Sequence, residues 1–442
     1  MDTFFKDELH KWRSTIQAPP KPAVSGQLVK AVGLLLEAQG CRAPVGTLCH
    51  VETADGGFVV SEIIGFRGKN VLLTPLEGST GFAVGGMVTP TGEPLTLPAG
   101  EGTIGRILDA LGRPIDGKGP LHNVRHEAFQ FKKINPLART PIKEVLDVGI
   151  GTINGLLTVG RGQRIGLMAG SGVGKSVTLG MMARNTNADV IVVGLIGERG
   201  REVKEFIDEI LGEDGLKKAI VVVSPADDPA MMRLYGAQTS TSIAEYFREQ
   251  GKSVLLLMDS LTRYAQAQRE ISLAAGEPPA TKGYTPSCFA KLPALVERAG
   301  NGESGGGSIT AFYTVLVEGD DQQGPIADAA RAILDGHIVL NRRIAEEGIY
   351  PAIDVEQSVS RVMPAIVDEQ HREAAITMRR WMSSYQRNID LLRIGAYKKG
   401  SDPELDKAVE KRDAIRQFLV QKMKECRTFA DSKKALLQLV SS

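Results

Sequence analysis

The spacing of hydrophobic residues changes along the chain, and each change predicts a different kind of structure. Near the start, Phe5, Leu9, Trp12 and Ile16 recur at intervals of four, three and four, which places them along one side of a helix whose other side is charged. The proline-rich residues 18–22 end this helix. Such a helix either docks onto a partner or packs back on its own body, and we favour docking.

Residues 24–97 show short alternating or apolar runs separated by glycine-rich turns. Alternation with a period of two is typical of strands that bury one face. The pattern predicts a small β-barrel or sandwich, and we favour the barrel. The strand-like runs are residues 29–36, 46–51, 57–64, 70–75 and 87–90.

The next segment, 98–150, is dominated by turn-forming residues and predicts an irregular entry to the following domain. From about Gly151, apolar strands alternate with helices, which predicts an α/β fold with a parallel sheet covered on both faces. Ligands of such sheets bind beyond the carboxyl ends of the strands. The strand-like segments are 164–168, 189–196, 219–224, 253–259, 308–317 and 337–340, and the helix-like segments are 176–184, 201–211, 229–250 and 261–275.

After about residue 363 the chain becomes helical and charged, with few turn signals. This pattern predicts an all-helical domain. The predicted division is therefore 1–23 for the amphipathic helix and its proline linker, 24–97 for the barrel, 98–363 for the α/β domain and 364–442 for the helical domain.

Composition narrows the class of protein. The 53 basic residues nearly balance the 52 acidic ones, so no global field favours nucleic acid. No apolar run approaches the roughly 18 residues that span a bilayer, and the acidic N-terminus is unlike a secretory signal. The cysteines are scattered without a CxxC pair, which is typical of free thiols in a reducing compartment. We expect a cytoplasmic protein.

A phosphate-binding loop follows the strand-like segment 164–168. Residues 169–176 read AGSGVGKS: the glycines let successive backbone N–H groups curve around an anion, Lys175 supplies a positive charge, and the Ser176 hydroxyl can ligate Mg²⁺. The helix that follows points its positive end at the phosphates. Ala169 stands where the usual pattern has glycine, a minor departure because this residue ends the strand.

Two carboxylates follow other buried strands and should reach the same crevice. Asp259 ends the apolar run 254–258 and is the expected second anchor of Mg²⁺, with Ser176. The alternative is that it only caps the next helix. Glu198 follows the run 191–196, and it either orients and deprotonates the attacking water or forms an ion pair with Arg199 or Arg201.

Four stretches in their proper order resemble the signature set of the rotary-type ATPase superfamily, which includes the α and β subunits of ATP synthase. They are residues 169–176, 197–202 (GERGRE), 258–263 (MDSLTR) and 351–361 (PAIDVEQSVSR). Residues 276–287 and 316–321 further resemble the type III protein-export ATPases, with their flagellar branch as the closest match. The resemblance covers nearly the whole chain. It implies an α/β fold with a RecA-like P-loop core, preceded by the small barrel and followed by the helical domain.

The resemblance implies a Mg²⁺-dependent ATPase that uses ATP. It assigns Glu198 as the catalytic base, with Lys175, Arg199 and an arginine finger as the other catalytic groups, and it places Ser176 and Asp259 at the metal. The non-catalytic α subunit of ATP synthase carries Gln in place of this Glu, so Glu198 argues for a competent site. The implied nucleotide-binding set is Gly170, Ser171, Gly172, Val173, Gly174, Lys175, Ser176, Val177, Arg263 and Tyr350, of which Tyr350 resembles the aromatic residue that stacks on adenine.

Arg361 is similar to the arginine finger, which reaches into the nucleotide site of a neighbouring subunit. An arginine supplied in this way is worth roughly 10³–10⁵ in rate. Because one chain would carry both halves of a shared site, the resemblance implies a closed homohexameric ring that is active only when assembled. The alternative is that Arg361 pairs within its own chain.

The resemblance also implies partners. The N-terminal helix would bind a dimeric stator-like regulator, and residues 276–287 would line the central hole of the ring. The helical domain would face the export gate, a coiled-coil central stalk and chaperone–substrate complexes, with the protein peripheral at the inner membrane. The alternatives are the ATPase of a virulence injectisome, a nucleotide-binding scaffold without turnover, and a ring that acts on RNA. The barrel lacks an aromatic and basic platform, which disfavours RNA.

Overall fold

The computed structural model describes residues 24–78, 80–92, 95–128, 134–317 and 323–441. The predicted N-terminal helix (1–23) and the acidic residues 318–321 lie outside these ranges. The chain divides into two compact units, Met1–Pro94 and Leu95–Ser442. No helix in the described part of the chain is both long and apolar enough to cross a membrane.

The first unit contains a closed barrel, as predicted. Its strands pair in the order β1-β2-β5-β4-β3-β6 around a core that includes Leu36, Ile63 and Leu73. The predicted run 29–36 is divided by a hairpin turn at Gly33, whose φ of 57° favours glycine. The strands are β1 (Gly26–Val32), β2 (Leu35–Gln39), β3 (Leu48–Glu52), β4 (Phe58–Arg67), β5 (Asn70–Pro75) and β6 (Met87–Pro90).

The second unit is organised around one large sheet. Its strands are β7 (Thr96–Ala99), β8 (Ile107–Asp109), β9 (Arg125–Ala128), β10 (Val145–Leu146), β11 (Val159–Gly160), β12 (Arg164–Ala169), β13 (Val190–Ile196), β14 (Ala219–Ser224), β15 (Ser253–Asp259), β16 (Gly300–Asn301), β17 (Ser308–Leu316), β18 (Gly336–Leu340) and β19 (Ile353–Ser360). The sheet runs β19-β18-β12-β17-β15-β13-β14-β8, with β16 beside β17, while β7 pairs with β9 and β10 with β11.

The sheet is parallel from β18 to β8, and its two departures involve β19 and β16, which run antiparallel to their neighbours. Strands β13, β14 and β15 are buried along their whole length, which explains their unbroken apolar sequences. The predicted α/β fold is therefore confirmed. Strand β8, at one edge, comes from the segment predicted to be irregular, because its three residues are too short to show a period.

The helices cover the sheet and build the C-terminal bundle. They are α1 (Gly151–Leu156), α2 (Lys175–Asn185), α3 (Gly200–Glu205), α4 (Gly212–Leu216), α5 (Ala230–Glu249), α6 (Leu261–Ala274), α7 (Pro286–Val296), α8 (Pro325–Ile333), α9 (Arg342–Glu346), α10 (Met363–Ile366), α11 (Glu369–Arg387), α12 (Ile389–Arg393), α13 (Pro403–Leu419) and α14 (Phe429–Ser441). A π-helical turn, Phe206–Leu211, joins α3 to α4, and short 3₁₀ turns lie at Glu101–Thr103, Pro136–Ala138 and Thr281–Gly283.

The C-terminal helices share one hydrophobic core with the sheet rather than forming a separate one. Trp381, Leu405 and Phe418 belong to the same buried cluster as Leu167 of β12 and Val193 of β13. Polar contacts add to this packing: the Gln421 side chain accepts from the Gly151 N–H at 2.8 Å and donates to the Gly149 carbonyl at 2.8 Å. The bundle is thereby fixed to the start of α1.

Helix α2, which leaves the predicted phosphate loop, is held from two sides. Gly180 lies so close to the π-helical turn that a Cβ there would come within 2.0 Å of the Ile210 side chain. At the end of α2, the Arg184 guanidinium donates to the Ile210 carbonyl and, at 2.7 Å, to the Met423 carbonyl of the C-terminal segment. One arginine therefore links α2, the π-helical turn and the C-terminal bundle.

Candidate functional site

The loop between β12 and α2 has the backbone that an anion-binding loop requires. Gly172 and Gly174 have φ values of 76° and 88°, in the left-handed region that other residues rarely adopt. Apart from its two chain neighbours, no described residue has a heavy atom within 4 Å of where a Cβ on Gly172 would stand, so this side of the loop is open. A Cβ on Gly174 would lie 3.6 Å from the Tyr350 ring, which is 45% exposed. Tyr350 therefore lies beside the loop.

Lys175 meets both predicted carboxylates. Its Nζ donates to Asp259 Oδ1 at 2.6 Å and to Glu198 Oε1 at 2.9 Å. The three side chains are 12%, 4% and 11% exposed, respectively. Parallel strands bring the three together. Glu198 follows the carboxyl end of β13 and Asp259 is the last residue of β15, and both ends lie at the same side of the sheet as the loop.

The structure does not support the alternative roles of these two carboxylates, which were an ion pair with a neighbouring arginine for Glu198 and a helix cap for Asp259. Glu198 pairs with Lys175, whereas Arg199 is 83% exposed and approaches Glu202 at 3.6 Å. The cap of α6 is Ser260, whose side chain accepts from the Arg263 N–H at 3.2 Å, so Asp259 is not the capping residue. Asp259 instead accepts a hydrogen bond from Thr314 at 2.6 Å.

The Lys175 ammonium lies between two carboxyl groups, and burial and neighbouring charge together shift the pKa values of Lys175 and Asp259. Burial would lower the pKa of Lys175, but the Asp259 and Glu198 carboxylates outweigh it and raise that pKa above its usual value. Burial raises the pKa of Asp259, and Glu198 adds to the rise, while Lys175 and Thr314 oppose it. Lys175 therefore stays protonated, and Asp259 is the group whose charge is costly.

The loop and the Lys175 and Glu198 side chains face a cleft of about 620 Å³. Of the predicted residues, the cleft is lined by Gly170, Ser171, Gly172, Gly174, Lys175, Ser176, Val177, Glu198, Arg199 and Arg263. Val173, Asp259 and Tyr350 are not among them. Val173 is 1% exposed in the hydrophobic core, and Asp259 is buried behind Lys175 at 3% exposure. The volume falls within the range of roughly 300–1,000 Å³ typical of small-ligand sites.

The arginine at the back of this cleft has an unusual environment. Arg263 packs under Gly197, where a Cβ would come within 2.7 Å of its side chain, and its Nη1 donates to Gln266 at 2.8 Å. Its Nε is buried and has no hydrogen-bond partner among the described residues. A buried guanidinium nitrogen without an acceptor suits an anionic ligand.

Arg361 lies far from the loop of its own chain. Ser360 pairs with Gly336 at the start of β18, whereas Ala169, which precedes the loop, pairs with Leu340 at the end of β18. Four residues of strand, about 13 Å, separate these positions. The exposed Arg361 guanidinium donates to the Leu334 and Arg331 carbonyls, each at 3.1 Å. The cleft lies at the carboxyl ends of the parallel strands, and Arg361 therefore lies at their opposite ends.

Sequence reasoning missed two residues at the site. Thr314 of β17 binds Asp259, and Arg342 of α9 donates to the Ser171 carbonyl of the loop at 3.1 Å. Both come from segments distant in sequence, and neither belongs to a motif that marks it. For Thr314 there was one signal: a hydroxyl in a buried strand, which needs a hydrogen-bond partner.

Comparison with known proteins agrees with this geometry. Residues 149–360 match the family described as "ATP synthase alpha/beta family, nucleotide-binding domain", and residues 367–438 match "T3SS EscN ATPase C-terminal domain". The chain is 58% identical over 442 residues to the "Flagellum-specific ATP synthase" of Pseudomonas aeruginosa, covering 99% of this chain and 98% of the relative.

Solved structures give the same result. The assembled ATPase EscN of the enteropathogenic Escherichia coli type III secretion system is 41% identical, with a TM-score of 0.89, and the match covers 94% of this chain and 100% of that one. EscN in complex with its central stalk EscO matches with a TM-score of 0.86 at the same identity and the same coverage.

Proposed function

The chain belongs to the family of flagellum-specific ATP synthases and type III secretion ATPases, and on this premise we propose that it hydrolyses ATP to promote protein export through the flagellar type III apparatus. The flagellar branch is favoured over the injectisome because identity is 58% to the flagellar relative and 41% to EscN. The observation that carries the enzymatic part is the meeting of Lys175, Glu198 and Asp259 beside the loop.

Each member of this cluster has a part in hydrolysis. The Lys175 ammonium has three N–H donors, of which Glu198 and Asp259 accept two, so the third can bind a phosphate oxygen. Glu198 orients the attacking water and accepts its proton as the oxygen bonds to the γ-phosphorus and the bond to the β-phosphate breaks. Arg263 binds phosphate oxygens from the back of the cleft, with Arg199 at its mouth.

Magnesium fits the residues present. The Ser176 hydroxyl and the Asp259 carboxylate supply the oxygen ligands that Mg²⁺ prefers, and both lie beside the loop. An ion held by these two residues would supply positive charge that offsets the negative charge of the phosphates. The Tyr350 ring, which lies beside Gly174, stacks on the adenine.

The decisive experiment replaces Glu198 with Gln, which keeps the shape and removes the base. We expect kcat to fall by about 10²–10⁴ while ATP still binds. Glu202→Gln is the matched control, because Glu202 lines the same cleft without contacting Lys175. Hydrolysis by Glu198→Gln at the parental rate would remove the catalytic assignment. A parent protein that binds ATP without turnover would favour the scaffold alternative.

The ring completes the proposal. Arg361 and the loop of its own chain lie at opposite ends of the parallel strands. This separation supports a role for Arg361 as the arginine finger for the next subunit of a homohexamer. Mixing Lys175→Ala chains with Arg361→Ala chains should restore part of the activity that each lacks alone, because an intact loop can meet an intact finger at one interface. No restoration in chains shown to co-assemble would place Arg361 within the chemistry of its own subunit.

The proposed partners are those that the family implies. EscN forms a complex with its central stalk EscO, and we expect the C-terminal bundle of this chain to face a coiled-coil stalk. The segment 276–287, in which Glu277 accepts a hydrogen bond from the Ser287 N–H at 2.9 Å, would line the central hole of the ring. The N-terminal helix would bind a dimeric regulator, and the C-terminal bundle would face the export gate and chaperone–substrate complexes. We therefore propose that the protein works in the cytoplasm, at the cytoplasmic face of the export apparatus.

A further inference from the structure

A single hydroxyl stands beside the predicted metal carboxylate. Thr314 lies on β17 next to β15, where Tyr313 pairs with Met258, so Thr314 adjoins Asp259. Its neighbours on the strand, Phe312, Tyr313 and Val315, are apolar or aromatic, and Thr314 itself is 0% exposed. Burying a hydroxyl costs free energy unless it is hydrogen-bonded, whereas valine has the same shape without that cost. The hydroxyl therefore calls for an explanation beyond packing.

The hydroxyl binds one carboxylate oxygen in particular. Thr314 Oγ1 donates to Asp259 Oδ1 at 2.6 Å, while the Met258 carbonyl lies farther away at 3.4 Å. Lys175 Nζ donates to the same Oδ1 at 2.6 Å. Two donors thus bind Oδ1 from different elements, Lys175 from the start of α2 and Thr314 from β17. Neither forms a hydrogen bond with Oδ2. A carboxylate held through one oxygen by two donors has its rotation fixed.

We propose that Thr314 is a positioning residue for Mg²⁺: it fixes the rotation of the Asp259 carboxylate so that Oδ2 faces the ion that accompanies ATP. The inference rests on the proposed function. Its chemical basis is that Mg²⁺ demands near-ideal octahedral geometry and tolerates little misplacement of a ligand or of a water held by one. Without the hydroxyl, Lys175 alone would hold Oδ1, and the carboxylate could turn about its Cβ–Cγ bond.

The test compares ATP affinity with excess Mg²⁺ and with EDTA, using a fluorescent ATP analogue, in parent and Thr314→Val proteins. The ratio of the two dissociation constants measures how much the ion contributes to binding. We expect this ratio to fall about tenfold in Thr314→Val, or about 1.4 kcal/mol, while the affinity in EDTA stays at the parental value. The kcat with Mg²⁺ should fall as well, and Thr314→Ser should restore both quantities because it keeps the donor.

Thr310→Val is the matched control. Thr310 lies on the same face of the same strand and is also fully buried, but its Oγ1 accepts from the Gly162 N–H at 2.8 Å, away from Asp259. If a folded Thr314→Val protein has the same ratio of dissociation constants as the parent, Thr314 has only a structural role and the inference is wrong. If Thr314→Val does not fold, Thr314→Ser decides, since a tenfold loss there would also refute it. A parent without Mg²⁺-dependent ATP binding would instead refute the proposed function.

Discussion

Replacing Lys175 with Met should destabilise the protein in a way that depends on pH. Lys175 is the cation shared by two nearly buried carboxylates, at 2.6 and 2.9 Å. At an effective dielectric constant of about 20, each pair attracts by roughly 6 kcal/mol, most of which offsets the cost of burying the charges. Removing one partner from a buried group of charges typically costs about 3–5 kcal/mol, so we expect a loss of about 3 kcal/mol at neutral pH.

The sign of the pH dependence follows from Asp259. Burial already raises its pKa, and loss of the Lys175 charge should raise it further. A carboxyl whose pKa is higher in the folded state favours folding at low pH, and this contribution is lost as the pH rises through that pKa. The stability difference between parent and Lys175→Met should therefore be smaller at pH 5.5 than at pH 8.

Thermal unfolding at these two pH values measures the effect. Lys175→Met combined with Asp259→Asn should recover part of the loss, because only the Glu198 carboxylate is then left without its cation. A Lys175→Met protein with the parental unfolding midpoint at both pH values would show that the three charges do not interact as described. A loss that is equal at both pH values would trace the effect to packing rather than to Asp259.

Three further expectations concern the surroundings of the cleft. Arg184→Met should lower the free energy of unfolding by about 1–3 kcal/mol and speed hydrogen exchange in the C-terminal segment that Arg184 contacts. Arg372→Met, which removes an exposed ion pair with Glu369, should change neither quantity. Gly180→Ala should lower the unfolding midpoint because its Cβ would meet Ile210, and adding Ile210→Ala should cost less than the sum of the single changes. Tyr350→Ala should raise the KM for ATP about tenfold while Tyr350→Phe keeps it; equal values for all three proteins would exclude stacking.

The sequence predicted best where short-range pattern and position in a strand coincide. The loop 169–176 is contiguous, and Asp259 follows a strand whose unbroken apolar run marks it as buried, so its place at the sheet edge could be predicted. Glu198 was placed at the correct edge for the same reason. Its partner could not be chosen, because the choice between Lys175 and the nearby arginines depends on side-chain reach across the cleft.

Features that depend on tertiary pairing escaped prediction. The signature 351–361 contains the antiparallel edge strand β19, which pairing with β18 stabilises and which its mixed polar sequence does not reveal. The predicted helix 201–211 contains a π-helical turn, where tertiary contacts with Gly180 and Arg184 override a regular helical pattern. Thr314 and Arg342 act on the site across more than 50 residues of sequence, a distance at which local patterns carry no information.

The separation of Arg361 from its own loop has an arithmetic consequence for activity under the proposed function. Each chain presents a loop at one edge and a finger at the other, so a row of n chains contains n − 1 complete sites, and a closed ring of n contains n. The number of complete sites per chain is therefore zero for a single chain and one half for a pair of chains. It reaches one only when the ring closes. Turnover per chain should therefore be proportional to the number of interfaces at which a loop meets a finger. Closing the ring adds one such interface without adding a subunit.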